Sequence, residues 1–152
     1  MQIRNFGIPG ANSRQIIDRA FAEVEAFRPT LAIVLAGTND CGNKDALLPP
    51  QAFRANFREM LSRLNAMDAR TIAMTLPPLT DRAFKASFGE EPFQGIMPNE
   101  RVKVANQIVR EEAAAEGKAA APSSSGDSGS KNPFMPNMPK PPKGARGGPP
   151  PG

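Results

Sequence analysis

Histidine is missing from all 152 residues, and cysteine occurs once, at Cys41. The first absence removes the side chain that most often serves as a general base near neutral pH. The second excludes an internal disulfide and any multi-cysteine metal site. A zinc site would then rest on carboxylates alone, a ligand set that zinc rarely uses. No run of about 18 apolar residues is present that could cross a bilayer. The opening stretch, Met1 to Gly10, lacks the apolar segment and cleavage site of a secretory leader. The sequence therefore suggests no membrane partner, and it assigns no location beyond the cytoplasm by default.

Charge of one sign is scarce over most of the chain. The net charge is +4, and residues 118–152 hold all of the excess: Lys118, Lys131, Lys140, Lys143 and Arg146 against Asp127 alone. Residues 1–117 are balanced, so no basic folded face for nucleic acid is indicated.

What is present reads as alternating strands and amphipathic helices. Gln2–Phe6 is short and alternating, as expected for a strand that stops at Gly7. Asn12 or Ser13 can cap a helix by accepting a bond from a free backbone N–H. That helix buries Ile17, Ala20, Phe21, Val24 and Phe27 and ends before Pro29. Leu31–Leu35 is an unbroken apolar run between Pro29 and Gly37, as expected for a strand covered on both faces. A polar loop from Gly37 to Pro50 follows. Pro49 and Pro50 suit the start of a helix, where a missing N–H costs nothing. Its inner face is Phe53, Phe57, Met60, Leu61, Leu64 and Met67, and its outer face is Arg54, Arg58, Glu59 and Arg63.

Thr71–Thr75 reads as another buried strand, stopped by Pro77 and Pro78. After an irregular stretch, Asn99 is expected to cap a last helix running to about Glu116. Val102, Ala105, Ile108 and Val109 face inward, and Gly117 supplies the stop. The alternation predicts an α/β protein with a parallel sheet between helices, a three-layer arrangement. Residues 1–117 form this domain.

From residue 118 the composition changes to proline, glycine, serine and alanine, with few core-forming side chains, and disorder is expected over 118–152. Pro133, Pro136, Pro139 and Pro142 recur every third residue. In a polyproline II helix they share one edge, the kind of edge that SH3- or WW-type grooves read. A solvated tail without a fixed partner has the same composition.

Two short blocks carry the chemistry. Asn5-Phe-Gly-Ile-Pro-Gly10-Ala-Asn-Ser13 lies between the first predicted strand and helix, and Gly37-Thr-Asn39-Asp40 directly follows the apolar strand. In order, spacing and context they resemble the second and third conserved blocks of SGNH/GDSL-type hydrolases. The likeness continues through Phe53–Leu79 and covers roughly residues 2–117.

The resemblance implies a flavodoxin-like sheet and hydrolysis of a small ester or acylated substrate without a cofactor. In that family a serine attacks the carbonyl, and the developing oxyanion is held by a glycine N–H from the second block and an asparagine amide from the third. Those roles fall on Gly10 and Asn39. The glycine lets the backbone approach closely, and the following helix adds the positive end of its dipole. Loss of one such donor typically costs about 100- to 1,000-fold in rate. Asp40 is expected to be structural, bonding backbone N–H groups in its own loop.

The departures are as informative. The family's first block, a strand running into Gly-Asp-Ser, and its last, Asp-x-x-His, have no counterpart here. On the alternative alignment of the last block, Gln94 and Met97 stand where the aspartate and histidine belong. The sheet is then expected to lack its first and last strands, with the absent first strand lying between Gln2–Phe6 and Leu31–Leu35. Exposed edges of that kind predict marginal stability and self-association. Gly126-Asp-Ser128 spells the nucleophile tripeptide but follows no apolar strand. Cys41 has no histidine to activate it. Two other classes of function stay open. One is a non-catalytic module that grips a carbonyl or a sugar hydroxyl through Gly10 and Asn39. The other is an interaction protein that works through its Pro-rich tail.

Overall fold

The computed structural model of the chain describes residues 2–117. Its elements are α1 (Ser13–Phe27), β1 (Leu31–Val34), α2 (Thr38–Gly42), α3 (Pro50–Asn65), β2 (Arg70–Ala73), α4 (Asp81–Phe88), a single 3-10 turn (Glu91–Phe93) and α5 (Pro98–Ala115). The chain is α/β with a parallel sheet. That sheet has two strands among the described residues, β1 and β2, in the register Leu31 to Arg70 and Val34 to Ala73.

Local chemistry explains where the helices begin. Asn12 caps α1 in a reciprocal box: its side chain accepts the Gln15 N–H at 3.0 Å while the Gln15 side chain accepts the Asn12 N–H at 3.0 Å. Proline opens both α3 and α5, as Pro50 and Pro98. The last helix is therefore capped two residues earlier than Asn99, at Met97. Asn99 serves another purpose: its Oδ1 accepts the Leu79 N–H at 3.2 Å, and its own N–H donates to Asp81 at 2.8 Å.

Helix α3 is the centre of the packing, lying against α1 on one side and α5 on the other. Phe53, Phe57, Met60, Leu61 and Leu64 from α3 meet Ile17, Phe21 and Val24 from α1, and Val102, Ile108 and Val109 from α5, in one core. Two polar side chains interrupt these apolar stripes and are answered from across the interface. Glu112 of α5, 3% exposed, accepts from Arg54 at 2.8 Å and from Arg58 at 2.8 and 3.0 Å. Those bonds hold the Glu112 carboxyl below its usual range, with Arg58 the largest contributor. The second is Asn56 of α3, taken up below.

Several expectations change. Gln2–Phe6 forms no strand. It is an exposed segment without a backbone partner, anchored where the Phe6 ring meets the Phe27 ring edge-on at 5.8 Å. A strand exists only through a neighbour's ladder, and none of the described residues supplies one here. The run Leu31–Leu35 is covered on one face, not two. Ala32 and Val34 pack toward the core, while Leu31, Ile33 and Leu35 are exposed, and Ile72 and Met74 of the second strand join them. Helices thus cover one face of the sheet.

The second strand spans Arg70–Ala73 rather than residues 71–75, although the Met74 N–H still reaches Val34 O at 2.9 Å. The loop after Gly37 contains the short helix α2. Gly37 has φ +118°, and a Cβ there would lie 2.7 Å from the Phe53 ring, so the close approach of the turn before α2 to that ring requires glycine. The irregular stretch between Pro78 and Pro98 holds α4 and the 3-10 turn, with Phe84 packed edge-on against the buried Phe93 at 5.8 Å. The tail 118–152, with its proline repeat and Gly126-Asp-Ser128, lies outside the described residues. No helix among the described residues is long and apolar enough to cross a membrane.

Candidate functional site

The two sequence blocks, whose Ser13 and Asp40 are 27 residues apart, meet at the end of β1. Five hydrogen bonds tie residues 10–13 to residues 39–46, one of them from the Ser13 hydroxyl to Asp40, taken up below. Asn39 Nδ2 donates to Ala11 O at 2.9 Å, and Asn43 Nδ2 donates to Gly10 O at 3.1 Å. Asn12 Nδ2 donates to Ala46 O at 3.0 Å, and the Ser13 N–H donates to Asp40 Oδ2 at 2.9 Å. Helix α2 is only five residues long, yet it delivers Asn39 and Asp40 to different partners because successive helical side chains diverge by about 100°.

Asn39 is half-buried at a cleft of about 330 Å³, whose lining also includes Gly7, Ile8 and Pro9 on one side and Leu35, Gly37 and Thr38 on the other. One amide hydrogen of Asn39 is engaged by Ala11 O, and an NH₂ group carries two. Gly10 is exposed, with φ +76°, and it stands just outside the cleft lining, next to Ala11. Nothing lies within 4 Å of a Cβ built at Gly10, so backbone conformation, not crowding, accounts for glycine at this position.

Asp40 is structural in a way the sequence did not indicate. It is 2% exposed and bonds across the molecule, accepting both the N–H and, at 2.5 Å, the hydroxyl of the fully buried Ser13. Asn56 of α3 completes the cluster by donating to Ser13 Oγ at 2.9 Å. Burial raises the Asp40 carboxyl above its usual range, and the two bonds from Ser13 partly offset that rise. This network ties α1, α2 and α3 together beneath the cleft. Ser13 carries no signal beyond that of a cap residue, and the signal for Asn56 is an asparagine inside the stripe Phe53, Phe57, Met60.

Few groups near the cleft can attack a carbonyl. The Cys41 thiol is buried, and burial together with the Asp40 charge pushes it up to about 12, so the thiolate is scarce at neutral pH. Ser13 is fully buried, with its hydroxyl hydrogen spent on Asp40. Gln94 ends the 3-10 turn and Met97 caps α5, and neither lines the cleft. Among the described residues no group of three or more Asp, Glu or Cys could hold a metal ion.

A parallel strand ending at a cleft, with an asparagine side chain carried there by the following short helix, places the site in an α/β domain. The sequence matches the model of the GDSL-like Lipase/Acylhydrolase family over residues 1–137, and the chain belongs to that family. The match runs past Gly117, the last described residue. No curated protein and no solved structure matches the chain.

Proposed function

We propose that this chain carries the oxyanion-stabilising part of an ester or acyl hydrolase site, with the Asn39 amide and the Gly10 N–H as its two donors. The observation that carries the reading is the attachment of residues 10–13 to residues 39–46, which keeps both donors beside one cleft. Donors fixed before the substrate arrives need no reorganisation as charge develops on the carbonyl oxygen. The three-layer, flavodoxin-like arrangement belongs to the same reading: the bare apolar face and the open edge of β1 are the places where further layers and strands attach.

The nucleophile and the base lie outside the described residues on this reading. No histidine exists in the sequence, and a serine without a base is a poor nucleophile at neutral pH. The chain alone is therefore expected to bind carbonyl ligands without turning them over. That same lack of a base supports a second reading, a non-catalytic module holding a carbonyl or a sugar hydroxyl.

The test pairs two measurements on the full chain. Titration with ethyl butyrate is expected to shift the Asn39 side-chain and Gly10 backbone amide resonances, and unmoved resonances would sink the oxyanion assignment. Hydrolysis of p-nitrophenyl acetate is expected at the buffer rate. Turnover that falls about 100-fold in Asn39→Ala would keep the donors but overturn the claim that the chain lacks a nucleophile. Shifts with a sugar but not with the ester would favour the second reading.

A further inference from the structure

Two asparagines of α2 hold the glycine turn, and the site described above uses one of them. Asn39 lies in the helix and Asn43 caps its end, with the Asn43 N–H donating to Asn39 O at 3.1 Å. Side chains four residues apart lie on the same side of a helix. Here they reach two successive carbonyls: Asn39 Nδ2 donates to Ala11 O at 2.9 Å and Asn43 Nδ2 to Gly10 O at 3.1 Å. The other end of the Asn43 amide is also engaged, since its Oδ1 accepts the Asp45 N–H at 3.1 Å. The amide is therefore oriented from both ends.

Gly10 needs such a partner. Pro9 and Gly10 are the central pair of a turn closed by the Ala11 N–H to Ile8 O at 3.2 Å. Proline followed by a residue at positive φ, here +76°, is the type II arrangement. The proline ring fixes the first φ of the turn. Glycine, the second, is the residue with the greatest backbone freedom, and nothing lies within 4 Å of a Cβ built there. Among the described residues, the Asn43 amide makes the one hydrogen bond that reaches a Gly10 backbone group.

We infer that Asn43 is a positioning residue for the oxyanion site, fixing the direction of the Gly10 N–H by holding the Gly10 carbonyl. The inference rests on the reading that Gly10 and Asn39 are the two donors. A donor is effective only at the right distance and angle to the oxygen on which charge develops, and a glycine free to swing loses both. Asn43 offers no donor of its own to the substrate, because it does not join the cleft lining. Its contribution is alignment. Asn39 and Asn43 are bonded to each other through the helix backbone, so the turn that carries one donor also holds the other in register with it.

The test uses the full chain carrying Asn43→Asp or Asn43→Ala. Aspartate keeps the acceptor for the Asp45 N–H and loses the donor to Gly10 O, whereas alanine loses both. Asn43 is half-buried and outside the core, so both variants are expected to fold. Without ligand, both are expected to lower the NMR order parameter of the Gly10 amide from about 0.85 to below about 0.6, with that of the Asn39 backbone amide unchanged. With ethyl butyrate, both are expected to lose the shift at Gly10 and to keep the shift at the Asn39 side chain. An unchanged Gly10 order parameter in Asn43→Asp overturns the inference. Loosening in Asn43→Ala alone does so too, because it assigns the effect to the turn at Asp45. A Gly10 shift that persists in both variants overturns the positioning role and leaves the oxyanion reading standing. The absence of any ester shift in the unaltered chain overturns that reading, and the positioning role with it.

Discussion

The two faces of the sheet carry unequal side chains, and the larger ones are on the wrong side for a free-standing domain. Toward the helices the strands present Ala32, Val34, Thr71 and Ala73; toward solvent they present Leu31, Ile33, Leu35, Ile72 and Met74. Small residues inward let α3 approach closely. Bulky apolar residues outward make sense only beneath a covering layer, because a contiguous exposed apolar patch marks a contact surface. The helical side therefore carries the stability of this chain, and the open side carries its unfilled contacts.

Substitutions can probe that contrast. The largest effect is expected from Phe57→Ala, at the fully buried centre of α3. Creating a cavity there should cost about 3–5 kcal/mol, and urea unfolding reads it. A cost near zero would show that the helical core is loosely packed. Next is Asp40→Ala, which strands the buried Ser13 N–H and hydroxyl and should cost about 1–3 kcal/mol. The same urea midpoint measures it, and Asn56→Ala should lose less because Asp40 still holds Ser13.

Acid provides a third probe, since the two buried carboxyls respond in opposite directions. Glu112 is held below its usual range, so its stabilising bonds persist above that range and are lost as pH falls through its depressed value. Asp40 is raised by burial, so its titration opposes folding as pH climbs from the ordinary carboxylate range through the raised value. Replacing Glu112 with glutamine should flatten the acid limb of stability against pH, while Asp40→Asn should flatten the opposite slope. The smallest effect is expected from Ile33→Thr on the open face, where the side chain is 63% exposed: within about 0.5 kcal/mol. A loss several times larger would mean that this face is already covered in solution.

The same contrast explains what the sequence disclosed. Helices α1, α3 and α5 were legible because their apolar stripes are satisfied within the chain, and their proline and asparagine starts are local chemistry. The strands were legible as apolar runs, but their coverage was not. Periodicity reports which residues avoid water without reporting whether a neighbour is present. Gln2–Phe6 misled for that reason, since alternation alone does not make a ladder. Helix α4 was hidden because Phe84 and Phe88 form too short a pattern among prolines. At the candidate site, Asn39 and Gly10 rest on resemblance alone, whereas the Ser13–Asp40–Asn56 network joins residues far apart in sequence and left only the odd polar residue in a stripe as its trace.

The five bonds between residues 10–13 and 39–46 also bear on how such a protein can be recombined. A crossover anywhere in α1 or β1 would draw the two segments from different parents: backbone partners survive in any parent, but the Ser13–Asp40 side-chain pair is kept only where both parents carry it. A crossover inside α3 keeps the two segments together and, within this cluster, touches the Ser13–Asn56 bond alone. In a library of chimeras built from diverged members of this family, viable junctions should therefore thin out between Ser13 and Asn39 and reappear after Pro50, whatever the substitution load each chimera carries.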